Sequence, residues 1–126
     1  MHHNTTRAGL FGRTTRGHTV LTISGELDIA TAAALRDRIT AVLDDTALPV
    51  NIDLSGVSFC DASGLTMLLT VRRRANAYGL TVALVGLRPN VRKLLRITGL
   101  DQAFPIYSTL AQAAFSRVDT HDPAAA

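Results

Sequence analysis

The stretch Val50-Asn51-Ile52-Asp53-Leu54, continued through Ser55 to Asp61-Ala62-Ser63-Gly64-Leu65, decides the fold. Val50, Ile52 and Leu54 alternate with Asn51 and Asp53, which predicts a strand with one buried face along part of its length. Leu65, Leu68, Leu69, Arg72, Ala75 and Tyr78 then recur at helical spacing, and Gly79 stands where a helix-ending glycine belongs. Asp61-Ala62-Ser63-Gly64 is therefore a strand-to-helix junction, with Asp61 the expected N-cap. Such a junction exposes a small hydroxyl beside unpaired N–H groups and the positive end of a helix dipole. Ser63 suits that place as a phosphate acceptor better than as a catalytic nucleophile.

Outward from the junction the chain reads as repeating β-α units. On the N-terminal side, residues 18–24 form a strand with Leu21 and Ile23 on one side. Gly25-Glu26-Leu27-Asp28 is read as a turn or loop, and Asp28 and Thr31 are alternative N-caps for a helix carrying Leu35, Ile39, Val42 and Leu43. On the C-terminal side, residues 80–85 form a strand. Pro89 fits the first position of a helix with the stripe Val91, Leu94, Leu95 and Thr98, closed by Gly99. Residues 104–107 suit an edge strand and residues 110–118 a last helix. This order predicts an α/β fold, a mixed and mostly parallel sheet of four to five strands with about four helices. The expected domain spans residues 18–118. Residues 1–17 are expected to be a flexible basic tail, ordered at most as a short edge strand at its end, and residues 119–126 a frayed tail.

The length, 126 residues, is that of one domain. With only four Phe and two Tyr, the core must come from Leu, Val, Ile and Ala. No apolar run approaches the roughly 18 residues of a membrane span, and no apolar leader is present at the N-terminus. Cys60 is the only cysteine, which rules out an internal disulfide and fits a reducing cytoplasm. The pI of about 9.8 suggests nucleic acid, but the charge distribution argues against it. Arg7, Arg13 and Arg16 lie in the first 17 residues, which hold no acid. The rest of the chain carries equal numbers of basic and acidic residues. Binding to DNA would need a basic folded face.

Catalytic chemistry has little to work with. Gly56-Val57-Ser58-Phe59-Cys60 lacks the second glycine of a hydrolase nucleophile elbow, and Ser63 has no glycine two residues before it. The histidines are His2, His3, His18 and His121; three lie near the ends, so no base is placed for Ser63 or Cys60. His2 and His3 have no further ligand at metal-binding spacing. The only lysine, Lys93, is outside any phosphate-binding glycine loop. The expectation is a protein that is not an enzyme, with no cofactor and no metal. Loops that follow parallel strands gather at one end of a sheet, which would bring Glu26, Asp28, Asp61 and Ser63 onto one surface.

Taken together, Ser24-Gly25-Glu26-Leu27-Asp28, Asn51-Ile52-Asp53-Leu54-Ser55-Gly56-Val57, Asp61-Ala62-Ser63-Gly64-Leu65, Arg88-Pro89-Asn90-Val91-Arg92-Lys93-Leu94-Leu95 and Thr98-Gly99-Leu100 resemble the STAS-domain anti-sigma factor antagonists of bacterial partner switching. The resemblance implies a small mixed-sheet domain whose unphosphorylated form binds an anti-sigma factor that is also a GHKL-type serine kinase. Binding frees a sigma factor. Phosphorylation at the matching position, Ser63, ends binding, and a PPM-type phosphatase restores it. The implied partner-binding residues are Glu26, Asp28, Asp61, Ala62, Ser63, Gly64, Thr66 and Met67. The implied protein is cytoplasmic, binds neither DNA nor membrane, and is a monomer on its own. Many relatives carry a hydroxyl where this chain has Ala62, which leaves Ser63 the sole hydroxyl of the motif. Two other readings stay open: a scaffold domain in which Ser63 is structural, and an anion-binding module similar to the cytoplasmic domains of transporters.

Overall fold

In the computed structural model, residues 8–121 are described, with side chains to residue 116. Five strands form one sheet in the order β1 (Ala8–Thr15), β2 (His18–Leu27), β3 (Val50–Cys60), β4 (Val82–Val85), β5 (Ile106–Tyr107). β1 runs antiparallel to β2, and the remaining pairs are parallel. Among the described residues the helices are α1 (Ala32–Asp45), α2 (Ala62–Ala77), α3 (Pro89–Thr98) and α4 (Leu110–His121), with a 3₁₀ turn at Leu100–Gln102. The α/β class, the mixed sheet and the four helices are those expected.

Right-handed crossovers between parallel strands taken in chain order put α1, α2 and α3 on one face of the sheet. That face carries the aligned rung Leu21, Ile52, Leu84. These residues join Leu35, Ile39, Leu65, Leu68, Val91 and Leu95 in the main core. The next rung, Val20, Asn51, Ala83, points the other way. It is also buried, under α4, whose Ala113 is fully covered. Asn51 was expected on an open face; as part of the central strand it is covered on both sides and is 1% exposed. Among the described residues, no helix is long and apolar enough to cross a membrane.

Three boundaries differ from expectation. Residues 8–15 are not tail: β1 pairs with β2 along its whole length, from Ala8 opposite Gly25 to Thr15 opposite His18. As an edge strand it has one neighbour, so it tolerates the exposed Gly, Arg and Thr that made it read as unstructured. Arg16 and Gly17 form its two-residue turn with φ of 50° and 80°, the backbone of a type I′ hairpin. Next, Gly25-Glu26-Leu27 belongs to β2, and β3 runs six residues past Leu54 to Cys60. Register shifts lie between Thr22 and Ser24 and between Gly25 and Glu26. Such bulges break the alternation by which a strand is recognised. Last, α4 continues to His121, so residues 119–121 are helical rather than frayed. The tail expectations for residues 1–7 and 122–126 fall outside the described residues.

Candidate functional site

β2 and β3 end side by side, with Leu27 paired to Cys60. The Asp61 amide donates to the Leu27 carbonyl at 3.1 Å, which locks the start of α2 to the end of β2. Asp61 then turns its carboxylate back over the helix start and accepts from the Ser63 and Gly64 amides at 2.8 and 3.3 Å. It is the N-cap, as expected. Gly64 is buried, and its lack of a side chain is what permits the contact: a Cβ there would stand 2.8 Å from both Leu27 Cβ and Cys60 Sγ.

The β2-to-α1 connection is built differently. Asp28 Oδ1 accepts from the Ala30 and Thr31 amides at 2.9 and 3.2 Å. Thr31, which occupies the N-cap position, makes no side-chain cap bond to the helix. Its hydroxyl donates instead to the Glu26 carbonyl at 2.7 Å and accepts from the Asp28 amide at 3.0 Å. Of the two expected caps, Asp28 therefore organises the turn and Thr31 ties it back to β2. This leaves Ile29 82% exposed at the tip.

An open groove of about 350 Å³ lies between these two helix starts. Ile29, Ala33 and Arg36 form one wall; Ala62, Ser63, Thr66, Met67 and Thr70 form the other. Ser63, Thr66, Met67 and Thr70 follow the spacing that places them on one helix face. Their hydroxyls are not equivalent. Thr66 donates to the Ala62 carbonyl at 2.9 Å and Thr70 to the Thr66 carbonyl at 3.0 Å. The Ser63 hydroxyl has no hydrogen-bond partner among the described residues, although the residue is half-buried.

The expected site residues are thus brought to one end of the molecule, in unequal roles. Ala62 and Thr66 are exposed, and so is Glu26, opposite Phe59 in the sheet register. Asp28 and Asp61 are half-buried and engaged in their turns. Gly64 and Met67, expected among contact residues, are buried, with Met67 only 3% exposed; they shape the junction and the groove floor rather than present surface. Ile29, Arg36 and Thr70 were missed. Thr70 was legible as the next position on the Ser63 face. Ile29 was not, because an apolar residue in a turn carries no periodic signal.

Among the described residues that line the groove, there is no histidine or carboxylate to activate a hydroxyl. Beside it, Cys60 is buried, and its thiol is pushed up to about 11, first by burial and then by the charge of Asp61. A thiol so raised is a packing residue and a poor nucleophile. Among the described residues, no group of three or more His, Cys, Asp or Glu could hold a metal ion.

The family model of the STAS domain matches residues 13–113. This chain belongs to the STAS-domain family. The anti-sigma-F factor antagonist RsfB of Mycobacterium tuberculosis is 35% identical over 97 residues, which cover 77% of this chain and 79% of RsfB. The crystal structure of an anti-sigma factor antagonist from Mycobacterium paratuberculosis superposes with a TM-score of 0.79 at 32% identity, covering 90% of this STAS domain chain and 96% of that one. SpoIIAA, an anti-sigma factor antagonist, matches in its unphosphorylated form with a TM-score of 0.73 (25% identity, covering 89% of this chain and 97% of that one). The phosphorylated form of SpoIIAA from Bacillus matches with a TM-score of 0.66 (25% identity, 87% and 99%). These relatives are anti-sigma factor antagonists.

Proposed function

We propose that this STAS domain is a cytoplasmic anti-sigma factor antagonist switched by phosphorylation at Ser63. The unphosphorylated form binds an anti-sigma factor that is also a GHKL-type serine kinase, and so releases a sigma factor. Phosphorylation of Ser63 ends that complex, and a PPM-type phosphatase resets it. The observation that carries the proposal is the free Ser63 hydroxyl, set in an open groove whose other hydroxyls are bound to their own helix.

Three further features support it. The groove supplies no base, so the machinery that phosphorylates Ser63 must come with the partner. The exposed Ile29 and the apolar edges of Ala33 and Ala62 offer a docking surface. A phosphoserine adds about −1.5 to −2 charges. Asp61 already takes the Ser63 and Gly64 amides, and the one cation lining the groove, Arg36, is paired with Asp37 at 3.0 Å. A partner that fits the unphosphorylated surface is then confronted with a dianion. Like-charge or desolvation costs of several kcal/mol at an interface correspond, at about 4 kcal/mol, to roughly a thousandfold loss of affinity.

The test is a pull-down from the native host with wild type, Ser63→Ala and Ser63→Asp as baits, followed by mass spectrometry. A small ATP-binding kinase held by the Ala bait and lost by the Asp bait is the expected result. Equal retention of the same proteins by both baits would sink the switch and leave Ser63 a structural residue of a scaffold.

A further inference from the structure

The opposite face of the sheet holds a second cavity, of about 190 Å³, between the β1–β2 hairpin and the first turns of α4. Arg13, Arg16 and His18 line it from the hairpin side, and Leu110, Ala111 and Ala114 from α4. No acidic residue is among those that line it. Neither Arg13 nor Arg16 has an ion-pair or hydrogen-bond partner for its guanidinium among the described residues. Arg13 and Arg16 are both exposed at the cavity mouth, where their guanidiniums can turn toward an anion held in it.

Three more observations point into the same space. His18 is 5% exposed. Its ring donates through Nδ1 to the Arg16 carbonyl at 3.2 Å, its one hydrogen bond among the described residues, so Nε2 is left for the cavity. At the start of α4, Thr109 engages the Gln112 and Ala113 amides. The Leu110 and Ala111 amides have no acceptor among the described residues. Finally, Arg16 is the sole non-glycine residue with positive φ among the described residues, at 50°. A type I′ turn favours Asn, Asp or Gly at that position. An arginine held there against its backbone preference is the kind of local strain that accompanies a binding role.

We propose that this cavity binds a small phosphate monoester with a short alkyl or similarly apolar group. The phosphate lies at the Arg13 and Arg16 end of the cavity and receives hydrogen bonds from these guanidiniums and from the α4 amides, with the His18 ring forming part of the wall. Two guanidinium forks and a helix start suit a dianion with three acceptor oxygens better than a carboxylate. The apolar part lies against Leu110, Ala111 and Ala114. A cavity of 190 Å³ has room for about six waters and is smaller than the roughly 300 Å³ of the smallest drug-sized sites, so the ligand is small. The site is on the other face from Ser63 and stands independently of the phosphorylation switch.

The full chain, labelled with ¹⁵N, would be titrated with butyl phosphate, and in parallel with butyrate, inorganic phosphate and sodium chloride of matched ionic strength. Saturable shifts are expected for the amides of Arg13, Arg16, His18, Leu110 and Ala111 with butyl phosphate, and weaker ones with the other anions. Arg16→Gly keeps the turn, because glycine adopts positive φ without cost, and is expected to weaken binding by at least about tenfold. Arg13→Gln should do the same. The absence of saturable shifts, equal shifts with sodium chloride, equal binding of butyrate, or undiminished binding by Arg16→Gly would each overturn the proposal.

Discussion

Gly64 and Leu27 touch backbone to backbone. A Cβ built on Gly64 would lie 2.9 Å from the Leu27 carbonyl oxygen and 2.8 Å from Leu27 Cβ. The same carbonyl accepts from the Asp61 amide, so α2 cannot step back without breaking the bond that sets its start. The position of Ser63 therefore depends on the absence of one methyl group.

Gly64→Ala is expected to destabilise the fold by about 1–3 kcal/mol, the usual cost of overpacking. Urea unfolding followed by circular dichroism measures it. An unchanged midpoint would mean that the helix start has slack the contact distances deny.

Asp61→Ala removes the acceptor of the Ser63 and Gly64 amides and should cost about 1 kcal/mol. Asp61→Asn keeps an acceptor oxygen and should stay near wild type in the same experiment. A loss as large in Asn as in Ala would shift the role from capping to charge.

The far ends of α1 and α2 are joined by Asp44, which accepts from Arg74 at 2.9 and 3.0 Å and from the Tyr78 hydroxyl. These partners, Tyr78 first and Arg74 second, hold the Asp44 carboxyl below the ordinary aspartate range. A lowered carboxyl favours the folded state above the ordinary aspartate range, and that contribution is lost as pH falls through the Asp44 value. Side-chain carboxyl NMR should show Asp44 titrating below the ordinary aspartate range. In Tyr78→Phe its midpoint should rise; no movement would remove the hydroxyl from the account.

Cys60 should resist alkylation. With its thiol pushed up to about 11, roughly one molecule in a thousand carries thiolate at pH 8, and the sulfur is buried. Iodoacetamide at pH 8 should label the native protein slowly and the urea-unfolded protein rapidly, as followed by intact mass. Equal rates would mean that the junction opens readily.

The elements that sequence revealed are those whose apolar side chains recur regularly: α1, α2, α3, β4 and the first halves of β2 and β3. The strand ends were hidden by the bulges near Ser24 and Gly25, where turn-like chemistry sits inside a ladder. β1 was hidden by exposure, since an edge strand needs few apolar residues; the Arg16-Gly17 pair ahead of His18 was the available signal. At the site, Asp61 and Ser63 were legible because capping is local. The different fates of the Ser63, Thr66 and Thr70 hydroxyls were not, since each depends on where a side chain turns once the helix has formed. The groove wall given by Ile29 and Arg36 needed α1 and α2 set side by side, a tertiary fact with no local trace.

The order of strands across the sheet is the order of strands along the chain. On the ribosome this has a direct consequence, because synthesis releases the chain from its N-terminus at about 5–20 residues per second. The β1–β2 hairpin can close while the rest is still unmade. Each later strand then joins an edge that is already waiting, and none has to be wedged between two neighbours. β1 stays at one edge of the growing sheet, and the other edge passes from β2 to β3 to β4 and finally to the two-residue β5. A chain that stalls before Ile106 would leave β4 as that edge, a hazard for pairing with other chains that the finished domain reduces by making its last edge a strand of only two residues.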